Sequence, residues 1–455
     1  MFYIYKYFIL KSKALSSVND FQTFIKINPF LLYLQRKCDE MDCKLAIMES
    51  IIPIIDSNVS FTPLIFYRDF LKKLANFYRE QPSEEIVFRL FGNGDDEIYN
   101  SVYRIDPIAL PLLLSIIEQL SKFHKTPLRL LLNNNHATSS VLEFLYRANF
   151  FKTAGDRDYY NQNGNSIITY KEAYLGAFKG KEIRKDHLIR SYRKDDYSNI
   201  DFQLSDDILL RDQINSMTSY YVQEHFRELL FDNLNTLEYH NTYIDILSEL
   251  ITNGVMHSGS TTYAMMFVDK YRTKFSISDN GIGLKQSLEA KTSFPFYYTK
   301  NEFKDSVQKK TTSFSKYHIE NLVDIFEALY YSSLKEREGI FDLMLNVVIN
   351  SKGYFRLHTD NCQIIVTNRI FKYISSLHKI RTEILETHKL NENSTLDKSV
   401  YHKSILGYKN HIKNIFEKML NTTIDYYSEE TQFSSIRFFN VRFKGVHIEV
   451  EIPNS

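Results

Sequence analysis

The segment "SELITNGVMHS" (248–258) is followed after a short interval by "FSISDNGIGL" (275–284). In the first, Glu249, Asn253 and His257 recur at every fourth residue of an otherwise apolar helical pattern, so the three share one helix face. A face meant only for burial would carry aliphatic side chains. A carboxylate, an amide and an imidazole in line ask instead for a polar occupant. The second segment ends a strand at Asp279 and turns through Gly281 and Gly283, where missing side chains let backbone lie close to a ligand. Between them, "TTYAMMFVDKYRTKFSIS" (261–278) alternates as two strands joined at Lys270-Tyr271.

An acidic helix face with an amide, set beside such a turn, can hold a purine nucleotide and its magnesium. Magnesium takes oxygen ligands shared among waters, phosphates and side chains, and the Asn253 amide oxygen meets that need. A buried aspartate such as Asp279 is a good acceptor for an exocyclic amino group like that of adenine. A carboxylate one turn before the amide is placed to orient or deprotonate water near a terminal phosphate.

With these residues in view, the two segments resemble the N box and first glycine box of the GHKL (Bergerat-fold) ATPase superfamily: gyrase, heat-shock chaperones, histidine kinases and mismatch-repair ATPases. The spacing Glu-x-x-x-Asn-x-x-x-His looks most like the anti-sigma-factor serine kinases. The resemblance implies that Asn253 binds Mg2+, that Glu249 is the general base and that Asp279 reads the adenine amino group of ATP. It further implies that Gly281 and Gly283 shape the adenine pocket and that His257 lies near the phosphates. Where the family has a second glycine box, "KEREGIFDLMLNVVINSKGYFRLHT" offers only Gly339 at a helix start, leaving Lys335 or Arg337 as substitute phosphate partners. Val446 in "FKGVHIEVEIP" stands where the family often has a Thr.

Outward from this region the expected fold is α+β. Residues 200–455 are expected to form the Bergerat α/β sandwich, a mixed sheet with helices on one face. Segment 285–338 would be an ATP lid containing the amphipathic stretch 318–331, and 370–430 an inserted helical segment. "YFRLHTDNCQIIVTN" (354–368) reads as a hairpin, and "IRFFNVRFKGVHIEVEIP" (436–453) as two closing strands. Residues 83–190 alternate strand and helix and resemble, more faintly, the STAS domain of anti-sigma-factor antagonists. Where that family is phosphorylated on Ser, this chain has "IDPIAL" with Asp106, which suits docking or sensing. Residues 1–82 read as helical, from "FQTFIKINPFLLYLQ" and "LIFYRDFLKKLANFYRE".

Composition narrows the functions. Hydrophobic residues are 44% and charged residues 24%, as in ordinary globular chains, and the net charge of +1 provides no field for nucleic acid or an anionic membrane. Cys38, Cys43 and Cys362 lack zinc spacing and are too few for a disulfide framework, which fits a reducing cytoplasm. The N-terminal "MFYIYKYFILKSKALSS" is interrupted by Lys6, Lys11 and Lys13, too early for a spanning helix. The expectation is therefore a cytoplasmic, ATP-binding regulatory protein, a Mg2+-dependent ATPase or serine kinase-like switch that signals to a protein partner, with room for a homodimer. The alternative is a degenerate nucleotide-binding or interaction module without turnover, which the glycine-poor second box favours. A sensor histidine kinase would need a phosphorylatable His on a dimerisation hairpin. His225 in "VQEHFRELLFDN" sits too close to Glu249 for one and reads as an ordinary helix residue.

Overall fold

The computed structural model describes residues 51–81, 85–92, 101–155, 166–180, 187–203, 207–257, 261–291, 294–304, 315–366, 368–427 and 434–454. The expected helix at 21–35, like the N-terminal aromatic stretch, lies outside these residues. No helix among the described residues is long and apolar enough to cross a membrane. The chain is a mixed α/β protein with one parallel and one antiparallel sheet of more than two strands.

The parallel sheet has four strands in chain order: β1 (Ile51–Ile55), β2 (Val87–Phe91), β3 (Leu128–Leu131) and β4 (Ile168–Thr169). β1 corrects the helical expectation for 1–82. "IIPII" is too short to show a period, and its Pro53 is tolerated because β1 is an edge strand with one neighbour. The helix over 64–80 is present as Pro63–Ile65, a π turn Phe66–Phe70, and α1 (Leu71–Glu80). The widened π turn brings Phe66, Tyr67 and Phe70 together to the inside, where all are buried.

Next comes α2 (Leu110–His124), started by the Asp106 cap and by Pro107, and ended at Lys125 in the left-handed conformation. Leu110, Leu112, Leu113, Leu114 and Ile117 are all 0% exposed. A helix apolar all round needs partners on every side, and α2 finds them between the two sheets. On its far side Ser115 Oγ donates to Ser278 Oγ (3.0 Å), and Glu118 Oε1 accepts from Thr261 (2.8 Å). Asp106 pairs with Lys274 at 2.7 Å, so the group expected to serve docking or sensing binds the chain's own second sheet. α3 (Ser139–Arg147) leads to β4.

The antiparallel sheet begins with β5 (Arg190–Tyr192). Helices α4 (Asp207–Phe231) and α5 (His240–His257) precede its hairpin, β6 (Thr262–Val268) and β7 (Arg272–Asp279). Then follow α6 (Gly283–Glu289), α7 (Lys316–Leu334), α8 (Ile340–Leu345), β8 (Tyr354–Ile365), α9 (Asn368–Glu392), α10 (Lys398–Asp425) and β9 (Ile436–Pro453). The order is β8-β9-β7-β6-β5, and among the described residues every pairing is antiparallel, where a mixed sheet was expected. Helices do not cover one face only, either. Ala264 and Met266 of β6 pack into the core made with α4, α5 and α7, whereas Tyr263 and Met265 pack into the core shared with α2.

Two hairpin expectations give way to long strands. β8 runs through "TDN" with an irregularity at Asp360, whose φ of 55° is one that Asp tolerates and that mimics a turn in sequence. β9 likewise continues through Gly445. The inserted helical segment is the antiparallel pair α9 and α10. Within the expected lid, α7 is no surface helix: Leu322, Ile325, Phe326, Leu329 and Tyr330 are at most 1% exposed. On the opposite face of the sheet, Tyr67 stacks on His358 at 3.7 Å and 12° between planes, and burial pushes that imidazole down to about 3, so it packs neutral. Cys362 is buried and unpaired.

Candidate functional site

The site is set by how closely α5 approaches β6. A Cβ placed on Gly254 would meet Thr262 Oγ1 at 2.1 Å and its carbon atoms at 3.1 Å. Thr262 lies in register with Asp279 of β7, which in turn pairs with Val446 of β9. The glycine thus lowers the helix onto the strand beside Asp279 and brings Glu249 and Asn253 to the same opening. Gly254→Ala carries a helix-propensity gain of about 1 kcal/mol against an overpacking cost of about 1–3 kcal/mol. Because the clash is with a β-branched side chain on a central strand, the cost is expected to win. A thermal melt of the variant above that of the parent would refute the contact.

Glu249, Asn253, Asp279, Gly283, Lys335 and Gly339 line one cleft, together with Val446. The cleft is half open to solvent. At one end Asp279 accepts from the backbone N–H of Gly281 (2.8 Å) and of Val446, and burial lifts its carboxyl to about 6. Apolar walls of Ile277, Ile282 and Ile448 stand near it. Gly283 has φ +79°, a conformation that favours glycine. At the other end the Nζ atoms of Lys335 and Lys291 lie 5.1 and 5.6 Å from the centroid of the Tyr331 ring. Burial, with Arg211 next in effect, pushes Lys335 down to about 8. Of the two cations expected to replace the second glycine box, Lys335 lines the cleft. Arg337 instead pairs with Asp212 at 2.7 Å. His257 closes α5, but its side chain lies outside the described residues. His225 bonds Tyr192 Oη at 2.9 Å, and burial pushes it down to about 3, as befits a packed helix residue.

Two arginines carry the arrangement and were missed in the sequence. Arg211 on α4 donates through one nitrogen to Glu249 Oε1 and to Asn253 Oδ1, the latter at 2.9 Å. Asn253 Nδ2 also reaches Glu249 Oε1, at 3.5 Å. Arg381 on α9, 2% exposed, braces the wall that carries Lys335. It forms a fork on Asp342 (2.8 and 3.0 Å) and donates to the carbonyls of Ser333, Lys335 and Arg337. Asp342 in turn accepts from the N–H of Gly339 at the start of α8 (2.9 Å). His388 adds a contact to the Leu334 carbonyl (3.1 Å). Neither arginine sits in a motif, and each lies far along the chain from the atoms it holds.

The donor set can be tested against the expected ligands. Adenine suits the Asp279 end, where one carboxyl lies among aliphatic walls. Magnesium suits the other end less well. It requires near-octahedral oxygen ligands at about 2.0–2.1 Å, yet the Glu249 and Asn253 oxygens are already engaged by a fixed guanidinium. As arranged, these residues do not fit a magnesium ion. Among the described residues no cluster of His, Cys, Asp and Glu could hold a metal. Comparison with known proteins adds no relative: no family model matches the chain, and no curated protein or solved structure matches it.

Proposed function

We propose that the chain is an ATP-binding regulatory protein of the GHKL kind, with the adenine held at Asp279 and the phosphates directed toward Lys335 and Lys291. The observation that carries this reading is the convergence of Glu249, Asn253, Asp279, Gly283 and Gly339 on one cleft, apolar at the carboxyl end and cationic at the other. Residues that were linked only by spacing in the sequence thus meet around one open cleft. Output to a protein partner would run through the wall of the cleft, since α9 grips the loop that holds Lys335. The parallel-sheet unit, read as STAS-like, would serve as a fixed platform, because its α2 already occupies the back of the second sheet.

A general base at Glu249 has only Oε2 outside the Arg211 and Asn253 contacts, both of which fall on Oε1. Those contacts favour binding without hydrolysis over the ATPase or kinase reading. ATP and GTP titrations on the parent and on Asp279→Asn test the adenine assignment. ATP is expected to bind in preference to GTP. The amide, a poorer acceptor left partly unpaired, is expected to cost ATP about 10- to 100-fold in affinity. An unchanged ATP affinity in Asp279→Asn would end the reading. Phosphate release equal in the parent and in Glu249→Ala would settle against turnover.

A further inference from the structure

We infer that Arg211 is the resident cation of this cleft, so that the site takes a nucleotide polyphosphate without a divalent metal. The inference rests on the nucleotide-binding reading above and names the requirement of that same site. Three observations carry it. Arg211 bridges the Glu249 and Asn253 oxygens that a magnesium ion would need, and the two charged side chains are only 18% and 7% exposed. The Arg211 Nε is buried and has no acceptor among the described residues, so the guanidinium is not fully satisfied by Glu249 and Asn253. Lys335 and Lys291 line the cleft on either side of Tyr331, and Arg211 stands behind Glu249 and Asn253 as a third cation that acts electrostatically on Lys335. Arg211 neutralises Glu249, the task that a metal performs in a more acidic site, so the cationic wall that carries Lys335 faces phosphate without that carboxylate's opposing charge. A divalent ion entering there would face a guanidinium at contact distance and would have to strip it from both of its partners.

The test is an ATP titration on the full chain in excess EDTA and in excess MgCl2. The parent is expected to bind with affinities within about threefold of each other in the two conditions, since the charge balance is supplied by fixed side chains. Arg211→Gln opens both oxygens, and its ATP binding is expected to become weaker in EDTA by about tenfold or more while recovering in magnesium. Should that variant fold poorly around an unpaired Glu249, the double substitution Arg211→Gln with Glu249→Gln removes both charges. Its binding is expected to be weak in either condition. Parent binding that needs magnesium would overturn the inference and leave the nucleotide reading standing, with Arg211 a gasket that the metal displaces. Parent protein that is folded yet binds ATP in neither condition would overturn both.

Discussion

Arg381→Ala is expected to lower the folding free energy by about 3–5 kcal/mol, the range for removing one partner of a buried ion pair. Arg381 is 2% exposed, as is Asp342. Its loss would leave the Asp342 carboxylate without its countercharge and three carbonyls, those of Ser333, Lys335 and Arg337, without their donors. The damage would not stay local, because the same loop carries Lys335 into the cleft. Denaturant midpoints measure the loss. Arg381→Lys separates charge from shape: it keeps the charge but cannot present a planar fork to Asp342 while reaching the carbonyls. It is expected to recover less than half of the deficit. A destabilisation of Arg381→Ala below about 1 kcal/mol, the scale of a surface ion pair, would mean that the brace is not what holds the wall.

Gly445→Ala is expected to be comparably severe, and for a different reason. Gly445 has φ +121°, and a Cβ there would lie 1.9 Å from the Asp279 carbonyl oxygen and 2.8 Å from Asn280 Cα. These are backbone atoms of a central strand and cannot turn aside as a side chain can. Backbone strain alone costs on the order of 1–3 kcal/mol, and relieving the clash would require β9 to part from β7 next to Val446. A fall of about 3 kcal/mol or more is expected, together with loss of ATP binding, since Val446 N–H is one of the groups that hold the Asp279 carboxyl. Gly407→Ala is the control. Nothing lies within 4 Å of a Cβ at Gly407 in α10, and its helix-interior position predicts a gain of about 1 kcal/mol. If the two substitutions had similar effects on the melt, the close approach at Gly445 would be disproved.

What the sequence disclosed and what it hid follow from the range of the forces involved. The Glu249–Asn253 stripe and the Asp279 turn were legible because helix period and glycine placement are local, and folding brings both to one cleft. The all-apolar α2 announced burial but not its partners, since periodicity cannot say which sheet will cover a face. β1 was lost because five residues around a proline show no period. β8 is one bulged strand and not the expected hairpin, since Asp in a left-handed conformation, as at Asp360, has the same chemistry in a bulge as in a turn. Arg211 and Arg381 could not have been found by pattern. Their roles are defined by groups that become neighbours only after the tertiary fold closes, and a lone arginine in a polar helix has no signature of its own.

The pairing of Asp279 with Val446 sets a timetable for biosynthesis. Once β7 has left the ribosome, the edge that will receive β9 stays open while roughly 165 further residues are made, about 8–33 s at ordinary elongation speeds of about 5–20 residues per second. An unpaired strand edge over that interval invites association with other nascent chains. The helical pair α9 and α10, encoded in that gap and rich in local contacts, can fold during the wait. It packs on α7 and α8 rather than on the strands, so the open edge itself waits for β9.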